Sequence, residues 1–347
     1  MTAIPQGRGP NPLKNFQVDP ATIRTVGHGL QRPECILAER DGTLWSADAR
    51  GGVMRIGIDG TQTLVTQAPD SHFDLSASAS AAASLLAGTL PNGLAFAANG
   101  DFLISNFGTD RLERMTRDGK SHVLLDSIGG VPLGKVNFVL RDSRGRLWIT
   151  VSTMINPWSD AIRANLSDGA LILLDEKGAR IVADGFHFAN EIRLDAREEW
   201  IYVAETTAKR VTRLRVLPDG ALTGREIFGP PSLGKGLVDG ICFDAYGNLW
   251  ATMIFADRLV AITPDGELLQ LLDDGNPAGT DAVEAAFATG EPVPFEVLMQ
   301  SGGTICPWLA SVTFGGPALK TVYLGGLLST NIPSFESPVA GAPMVHW

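Results

Sequence analysis

The chain has 347 residues, of which 44% are hydrophobic and 19% are charged, so it can bury a large core. Its 39 Gly and 21 Pro residues are typical of many tight turns between short strands. The formal net charge of −10 and the absence of a basic run argue against a nucleic-acid partner or an anionic membrane surface.

The cellular setting is inferred from the cysteines and from apolar runs. The N-terminal residues contain no apolar run of signal-peptide length, and no later segment reaches the length of a membrane-spanning helix. Cys35, Cys242 and Cys306 are odd in number and far apart, which favours reduced, buried thiols. We therefore expect a cytoplasmic protein without a membrane partner, either a monomer or a small homo-oligomer.

The dominant feature of the sequence is a unit of about fifty residues that recurs along the chain. Each copy begins with an apolar strand, a polar turn and a second strand of alternating large apolar residues. In chain order these segments are RPECILAERDGTLWSAD, NGLAFAANGDFLISN, NFVLRDSRGRLWITV, NEIRLDAREEWIYVAE, DGICFDAYGNLWATM and a weaker ASVTFGGPALKTVYLGG. A third strand follows most copies, and short fourth strands are predicted at residues 61–66, 122–126, 180–183 and 267–272.

Six such units are typical of a β-propeller, because a single four-stranded blade buries its faces only by stacking against neighbours. We therefore predict an all-β fold, a six-bladed β-propeller of four-stranded antiparallel blades. The sixth copy lacks an obvious fourth strand, and the N-terminal strand at residues 21–26 is predicted to supply it and close the ring. Residues 1–20 are then an N-terminal extension, and residues 21–347 form a single domain.

Three insertions interrupt the repeat, at about residues 71–88, 152–169 and 274–305. The first insertion and the stretch 280–290 are rich in alanine and predict helices, the latter with Thr280 as its N-cap. All three connect strands on the same face of a propeller. We expect this face to bind ligands, since loops on a rigid scaffold commonly do so.

In five of the six units the first strand begins with a polar residue, seven positions before a fixed point in the turn. These slot residues are Glu34, Asn92, Asn137, Asn190 and Asp239, and the sixth slot falls at about Ala310. Innermost strands start at the central channel on the insertion-bearing face, so the five polar side chains should converge there. Two carboxylates in one channel repel and lose solvation, which requires a cation or a shared proton. Carboxylate and amide oxygens suit a hard ion such as calcium, and zinc is disfavoured.

Each slot residue taken alone has a simpler interpretation. Asn92 and Asn137 lie beside turn-like segments and could cap backbone groups, and Glu34 could be a solvated strand end. Their recurrence at equivalent positions favours binding of a metal or a ligand.

The sequence resembles the gluconolactonase, regucalcin (senescence marker protein) and luciferin-regenerating-enzyme family over about residues 20–347. The resemblance rests on RPEC with Glu34, FANEI with Asn190, LVDGICFDAYGNLW with Asp239, and the tail from TFGGPALKTVYLGG to SPVAGAPMVHW. It implies a six-bladed propeller that binds one divalent cation, usually calcium, and opens sugar lactones.

The resemblance also implies roles for individual residues. Glu34, Asn190 and Asp239 match the family's cation ligands. Asn137 matches a residue beside the substrate, and Lys135 matches a sugar-binding position at which family members commonly carry Arg. We expect a metal-dependent hydrolase of a small-molecule lactone, in which the cation polarises the carbonyl and Asp239 is the general base.

Two other functions stay open at the level of sequence. A paraoxonase-like arylesterase or phosphotriesterase relies on a histidine near the metal, and His187, a candidate substrate-binding residue, is the available one. A non-catalytic propeller would bind calcium or another ligand without turnover. In each case Zn²⁺, Mn²⁺ or Mg²⁺ could stand in for Ca²⁺. His72 and Trp158 lie on insertion-face loops and are further candidates for lining the pocket.

Overall fold

The computed structural model describes residues 9–67, 85 and 89–347. These residues form six four-stranded antiparallel sheets, arranged as the blades of a six-bladed propeller. The prediction of fold class from the repeat is confirmed. In blades 1 to 5 the four strands follow one another in chain order, so each blade is a simple meander.

The strand bounds are as follows. The chain begins with β1 (Arg24–Val26), and blade 1 comprises β2 (Ile36–Ala38), β3 (Leu44–Asp48), β4 (Gly52–Ile56) and β5 (Gln62–Thr66). Blade 2 comprises β6 (Pro91–Phe96), β7 (Phe102–Asn106), β8 (Arg111–Met115) and β9 (Ser121–Leu125), followed by a small hairpin of β10 (Ser127–Ile128) and β11 (Val131–Pro132). Blade 3 comprises β12 (Val136–Arg141), β13 (Leu147–Val151), β14 (Gly169–Asp175) and β15 (Gly178–Phe186).

Blades 4 to 6 complete the ring. Blade 4 comprises β16 (Ala189–Leu194), β17 (Trp200–Glu205), β18 (Arg210–Val216) and β19 (Leu222–Phe228). Blade 5 comprises β20 (Leu237–Phe243), β21 (Leu249–Ile254), β22 (Arg258–Ile262) and β23 (Leu268–Asp273). Blade 6 comprises β24 (Leu309–Gly315), β25 (Thr321–Gly326) and β26 (Ile332–Glu336), completed by β1.

The ring is closed by the N-terminal strand, as predicted. β1 pairs antiparallel with β26, so that Arg24 lies opposite Ser334 and Val26 opposite Ile332. β1 is shorter than the predicted 21–26, because Pro20–Thr22 form a 3-10 turn capped by the Asp19 side chain. Segments from the two ends of the chain therefore share one blade, and backbone hydrogen bonds between them close the ring.

The core lies between neighbouring blades. Trp45 of blade 1 packs edge-on against Phe102 of blade 2, with ring centroids 4.8 Å apart. Trp250 of blade 5 contacts Phe314 of blade 6 in the same manner at 5.2 Å. The three cysteines are buried and free, as expected for reduced thiols.

The third insertion is helical, but its helix starts earlier than predicted. Helix α1 (Pro277–Phe287) has Asn276 as its N-cap, and the Asn276 side chain accepts the N–H of Gly279. The prediction of Thr280 as the N-cap is wrong. Thr280 lies inside the first turn, where its hydroxyl donates to the carbonyl of Phe255 at 2.9 Å. Pro277 at the first helical position explains the earlier start, since its fixed φ suits that position.

The other insertions are only partly regular. A short helix α2 (Phe295–Leu298) follows α1, and the second insertion contains a 3-10 turn at Trp158–Ala161. The helix predicted at 71–88 lies outside the described residues, apart from residue 85. Among the helices that the structure describes, none is long and apolar enough to cross a membrane.

In blades 3 and 5, whose second strands begin with Leu-Trp, a buried carboxylate organises the first hairpin. Asp142 accepts the indole N–H of Trp148 at 3.0 Å, and Asp244 accepts that of Trp250 at 2.9 Å. Asp244 also accepts two backbone N–H groups of its turn, each at 2.9 Å. Burial raises the pKa of Asp244, and these hydrogen bonds oppose the rise. The recurring acidic residue before the turn is therefore a structural part of the blade.

We expect Asp244→Ala to lower the free energy of unfolding by about 3 kcal/mol, because it leaves several buried N–H groups without an acceptor. Urea denaturation followed by far-UV circular dichroism measures the change. Asp265→Ala is the matched control, since Asp265 is an exposed turn residue of the same blade; it should change stability by less than about 0.5 kcal/mol. Equal effects of the two variants would contradict the structural role of Asp244.

Candidate functional site

The polar slot residues lie where the innermost strands are irregular. In blades 2 to 5, the pairing between the first and second strands shifts register at the slot. The residues at these register shifts are Asn92, Asn137, Asn190 and Asp239. A β-bulge ends regular pairing and redirects a side chain, which turns these residues out of the ladder. In blade 1 the slot residue Glu34 precedes β2 altogether.

Gly240 shows why a small residue follows the slot in blade 5. A Cβ atom at this position would lie 2.5 Å from the carbonyl oxygen of Ala310 and 2.5 Å from Cα of Ser311. The N–H of Gly240 donates to the hydroxyl of Thr252 at 2.8 Å instead of to the ladder. Any side chain here would push blade 5 away from blade 6 and displace the neighbouring slot residue, Asp239.

In blades 2 and 4, a side chain at the end of the second strand accepts a backbone hydrogen bond from the segment that precedes the first strand. Asn106 Oδ1 accepts the N–H of Leu90 at 3.0 Å, and Glu205 Oε2 accepts the N–H of His187 at 3.0 Å. Both acceptors are buried. The slot residues Asn92 and Asn190 follow these bonded N–H groups by two and three positions. The hydrogen bonds therefore fix the backbone just before each slot residue.

One cavity brings the five predicted slot residues together. They line it jointly, and none of the five has more than 4% of its surface exposed. The cavity measures about 400 Å³ when its open mouth is included. The sixth slot residue, Ala310, is fully buried in an adjoining hydrophobic cluster and contributes no polar group. The convergence predicted for the polar slots is therefore present in the structure.

Several oxygen atoms of these residues lack a hydrogen-bond donor. Asn137 Oδ1, Asn190 Oδ1 and Asp239 Oδ1 are buried without a partner. The amide nitrogen of Asn190 donates to Thr206 Oγ1 at 3.1 Å, which leaves the amide oxygen free for another ligand. A buried acceptor left unpaired costs about 1–3 kcal/mol. Three such atoms at one site form an oxygen set that a cation or its bound water would satisfy.

Arg32 also lines the cavity, and our sequence interpretation missed it. Its Nη2 atom lies 2.8 Å from Glu34 Oε2 and donates to Asn92 Oδ1 at 2.6 Å. Its Nε atom is buried without a partner, and its φ of 55° lies in the left-handed region. A signal was available, because Arg32 precedes its slot residue by two positions, as Lys135 precedes Asn137.

The electrostatics of the cavity favour an additional positive charge. Burial raises the pKa of Asp239 well above its ordinary value, and the charges of Glu34 and Glu191 raise it further. Burial likewise raises the pKa of Glu34, against the effect of Arg32, and raises that of Glu191 to about 7. Arg193 pairs with Glu191 at 2.8 Å. When all three carboxylates are ionised, the two guanidiniums leave one buried negative charge in excess.

The residues present fit a hard divalent cation. Within the described ranges, no three His, Cys, Asp or Glu side chains come together in a way that could hold a metal ion. The candidate set has two carboxylates, Glu34 and Asp239, and takes a further oxygen from the amide of Asn190. Calcium binds about six to eight oxygens, so three protein ligands leave positions for water or a substrate. Among the described residues that line the cavity, none offers sulfur or imidazole, the ligands that softer metals favour.

Lys135 and His187, both predicted to bind the substrate, do not line this cavity. The ammonium group of Lys135 pairs with Asp110 at 3.0 Å and is buried. The His187 ring has a buried Nδ1 atom without a partner. Trp158 does line the cavity, as its place on the second insertion indicated, whereas His72 lies outside the described residues.

We expect Thr206→Val to weaken divalent-cation binding by about tenfold or more, because Asn190 loses the hydroxyl that orients its amide. Isothermal titration of the chelator-treated protein with Ca²⁺ measures the affinity. Thr207→Val is the matched control, since the neighbouring Thr207 hydroxyl is buried without a partner and does not bond Asn190. The same affinity in both variants would show that the amide orientation does not matter to cation binding.

The chain is similar to known proteins both in sequence and in structure. Rat serum paraoxonase/arylesterase 1 is 27% identical over 150 residues, which is 43% of this chain and 36% of the relative. The match thus spans about a third of that curated protein. A gluconolactonase from Xanthomonas campestris has a TM-score of 0.63 at 20% identity, covering 92% of this chain and 89% of the other. Regucalcin from Agrobacterium tumefaciens, described as a calcium-binding protein, gives 0.63 at 15% identity, with 92% and 96% covered.

The family itself is shown by a longer match. At these identities the solved structures support the fold alone. The model of the SMP-30/Gluconolactonase/LRE-like region matches residues 32–278, which is more than half of the chain and includes the slot residues from Glu34 to Asp239. The chain therefore belongs to the SMP-30/gluconolactonase/LRE-like family.

Proposed function

We propose that the protein is a cation-dependent hydrolase that opens lactones. The observation that carries the proposal is the group of buried, unpartnered oxygens of Asn137, Asn190 and Asp239 in one cavity. Membership of a family that includes gluconolactonases supports the same reaction class. In this proposal Glu34, Asn190 and Asp239 hold the cation, with Ca²⁺ as the favoured ion.

The chain's own residues suit the steps of ester hydrolysis. A divalent cation held here supplies the positive charge that polarises the lactone carbonyl and stabilises the developing oxyanion. Asp239 Oδ1 has no hydrogen-bond donor and takes a proton from the attacking water. Asn137 accepts a hydrogen bond from the attacking water through its free amide oxygen and so orients that water. The ring C–O bond then breaks, and the proton ends on the leaving oxygen of a hydroxy acid.

We assign the positive charge beside the substrate to Arg32 rather than to Lys135. Arg32 lines the cavity, and its Nε–H has no acceptor, so it can donate to an oxygen of the substrate. Lys135 is held by Asp110 outside the cavity lining. The two residues occupy the same position of the repeat, which explains how one can replace the other.

The substrate assay has to distinguish lactone hydrolysis from two rival functions. The partial match to a paraoxonase/arylesterase favours aryl esters as a second substrate group. Cation binding without turnover would instead indicate a calcium- or ligand-binding propeller. A panel of gluconolactone, xylonolactone, an aliphatic γ-lactone, phenyl acetate and paraoxon separates these cases when each is assayed after chelation and after addition of Ca²⁺, Mg²⁺, Mn²⁺ or Zn²⁺.

We expect lactone hydrolysis to disappear on chelation and to return with the cation, and Asp239→Asn to lower kcat by about 10³-fold. Cation affinity of the variant is measured in parallel by titration, so that loss of the base is separated from loss of the metal. Asp265→Asn, an exposed substitution in the same blade, should leave turnover unchanged. Near-normal kcat in a cation-loaded Asp239→Asn protein would remove the base role.

A further inference from the structure

The cavity has a polar part, here called the floor, formed by Arg32 and the five slot residues, and an apolar part, here called the wall. Seven of the residues that line it are apolar: Phe107, Trp158, Phe188, Phe255, Ile162, Ile254 and Leu327. All seven belong to one hydrophobic cluster, which also includes side chains of α1. The apolar side chains therefore form a continuous surface that leads from the cation ligands toward the insertions.

The wall is held together by its own aromatic contacts. The rings of Phe107 and Trp158 lie with centroids 6.0 Å apart, and those of Phe107 and Phe188 lie 6.4 Å apart. Trp158 comes from the second insertion, and its ring also contacts Phe295 of the third insertion at 6.5 Å. Insertions and blade ends thus combine to form one apolar wall.

Several polar groups in and near the cavity already have partners within the protein. The indole N–H of Trp158, the polar atom of its ring, donates to the carbonyl of Leu85 at 2.9 Å. The amide nitrogen of Asn92 donates to the carbonyl of Asn137 at 3.1 Å. The ammonium group of Lys135 is held by Asp110. A polyhydroxylated ring would place some of its hydroxyl groups against the apolar wall, where they have no partners, and each unpaired group lowers affinity by roughly tenfold or more.

We propose that the substrate is a lactone or cyclic ester that carries an apolar alkyl or aryl substituent, and not a sugar lactone. The carbonyl lies on the polar floor, and the substituent lies against the wall of Phe107, Ile254 and Phe255. Arg32 Nε donates to the ester oxygens. This inference rests on the proposed hydrolase function and specifies its substrate class. Water adds to the carbonyl carbon, the ring C–O bond breaks, and a hydroxy acid leaves without any redox partner.

The first experiment compares the Ca²⁺-loaded full chain on γ-butyrolactone, γ-hexalactone, γ-octalactone, γ-decalactone and glucono-δ-lactone. We expect kcat/KM to rise about fourfold per added methylene, the factor that corresponds to ~0.8 kcal/mol for each buried CH₂. γ-Decalactone should exceed glucono-δ-lactone by at least about 100-fold. A flat series, or a preference for glucono-δ-lactone, would overturn the inference.

A pair of variants tests the wall itself. Ile254 is buried at the end of β21, and Ile254→Thr keeps a β-branched side chain there while adding a hydroxyl. We expect this variant to lose at least about tenfold in kcat/KM for γ-decalactone and little for γ-butyrolactone. Ile254→Val, which stays apolar, is the matched control and should retain the preference for long chains. Equal losses on both lactones in Ile254→Thr would count against an apolar substituent site.

A binding measurement gives a readout independent of turnover. 2-Hexylcyclopentanone, a ketone that cannot be hydrolysed, should quench tryptophan fluorescence through Trp158 in the wild-type protein and bind at least tenfold more tightly than cyclopentanone. Trp158→Phe keeps an aromatic wall and should lose most of the quenching. Binding of the ketone together with no hydrolysis of any lactone would refute the hydrolase function but keep the apolar site. Hydrolysis with glucono-δ-lactone preferred would do the reverse.

Discussion

Oxygen atoms from several blades are buried at one end of the central channel without enough donors to satisfy them, and the rest of the site depends on this constraint. Asp239, Asn137 and Asn190 each leave an oxygen unpaired, and Glu34 has Arg32 as its ion-pair partner. A cluster of such groups calls for an explanation such as a bound ion, ordered water or a catalytic role. The bulged inner strands and the N–H bonds to Asn106 and Glu205 hold these oxygens in place at a cost in regular pairing.

The floor and the wall of the cavity have different origins in the sequence. Blade repeats supply the floor, because five of the six copies contribute one polar side chain at the equivalent position near the start of the first strand. Insertions and strand ends supply the wall, where Trp158 and Phe255 meet side chains of α1 in one cluster. The shared floor of a family can therefore keep one reaction while the wall changes the substrate. An apolar wall above an oxygen-lined floor favours an ester whose polar part is confined to the reacting group.

The sequence predicted correctly those features that recur from one repeat to the next. Blade number, strand order, closure by the N-terminal strand and the five polar slots all follow from one local pattern that recurs. It did not predict contacts set by distant residues. Lys135 and Arg32 occupy the same position of the repeat, but the fold pairs Lys135 with Asp110 and Arg32 with Glu34. The N-cap at Asn276 was missed in favour of Thr280, although Pro277 after it is a known start signal.

The central claim is that side chains of separate blades hold one hard cation at this end of the channel. Crystals soaked in Tb³⁺, which replaces Ca²⁺ at oxygen sites and scatters anomalously, test it most directly. The account predicts one strong anomalous peak in the cavity, within about 2.3–2.6 Å of oxygens of Glu34, Asn190 and Asp239. A cavity without a peak, or a peak bound only by surface carboxylates, would contradict it.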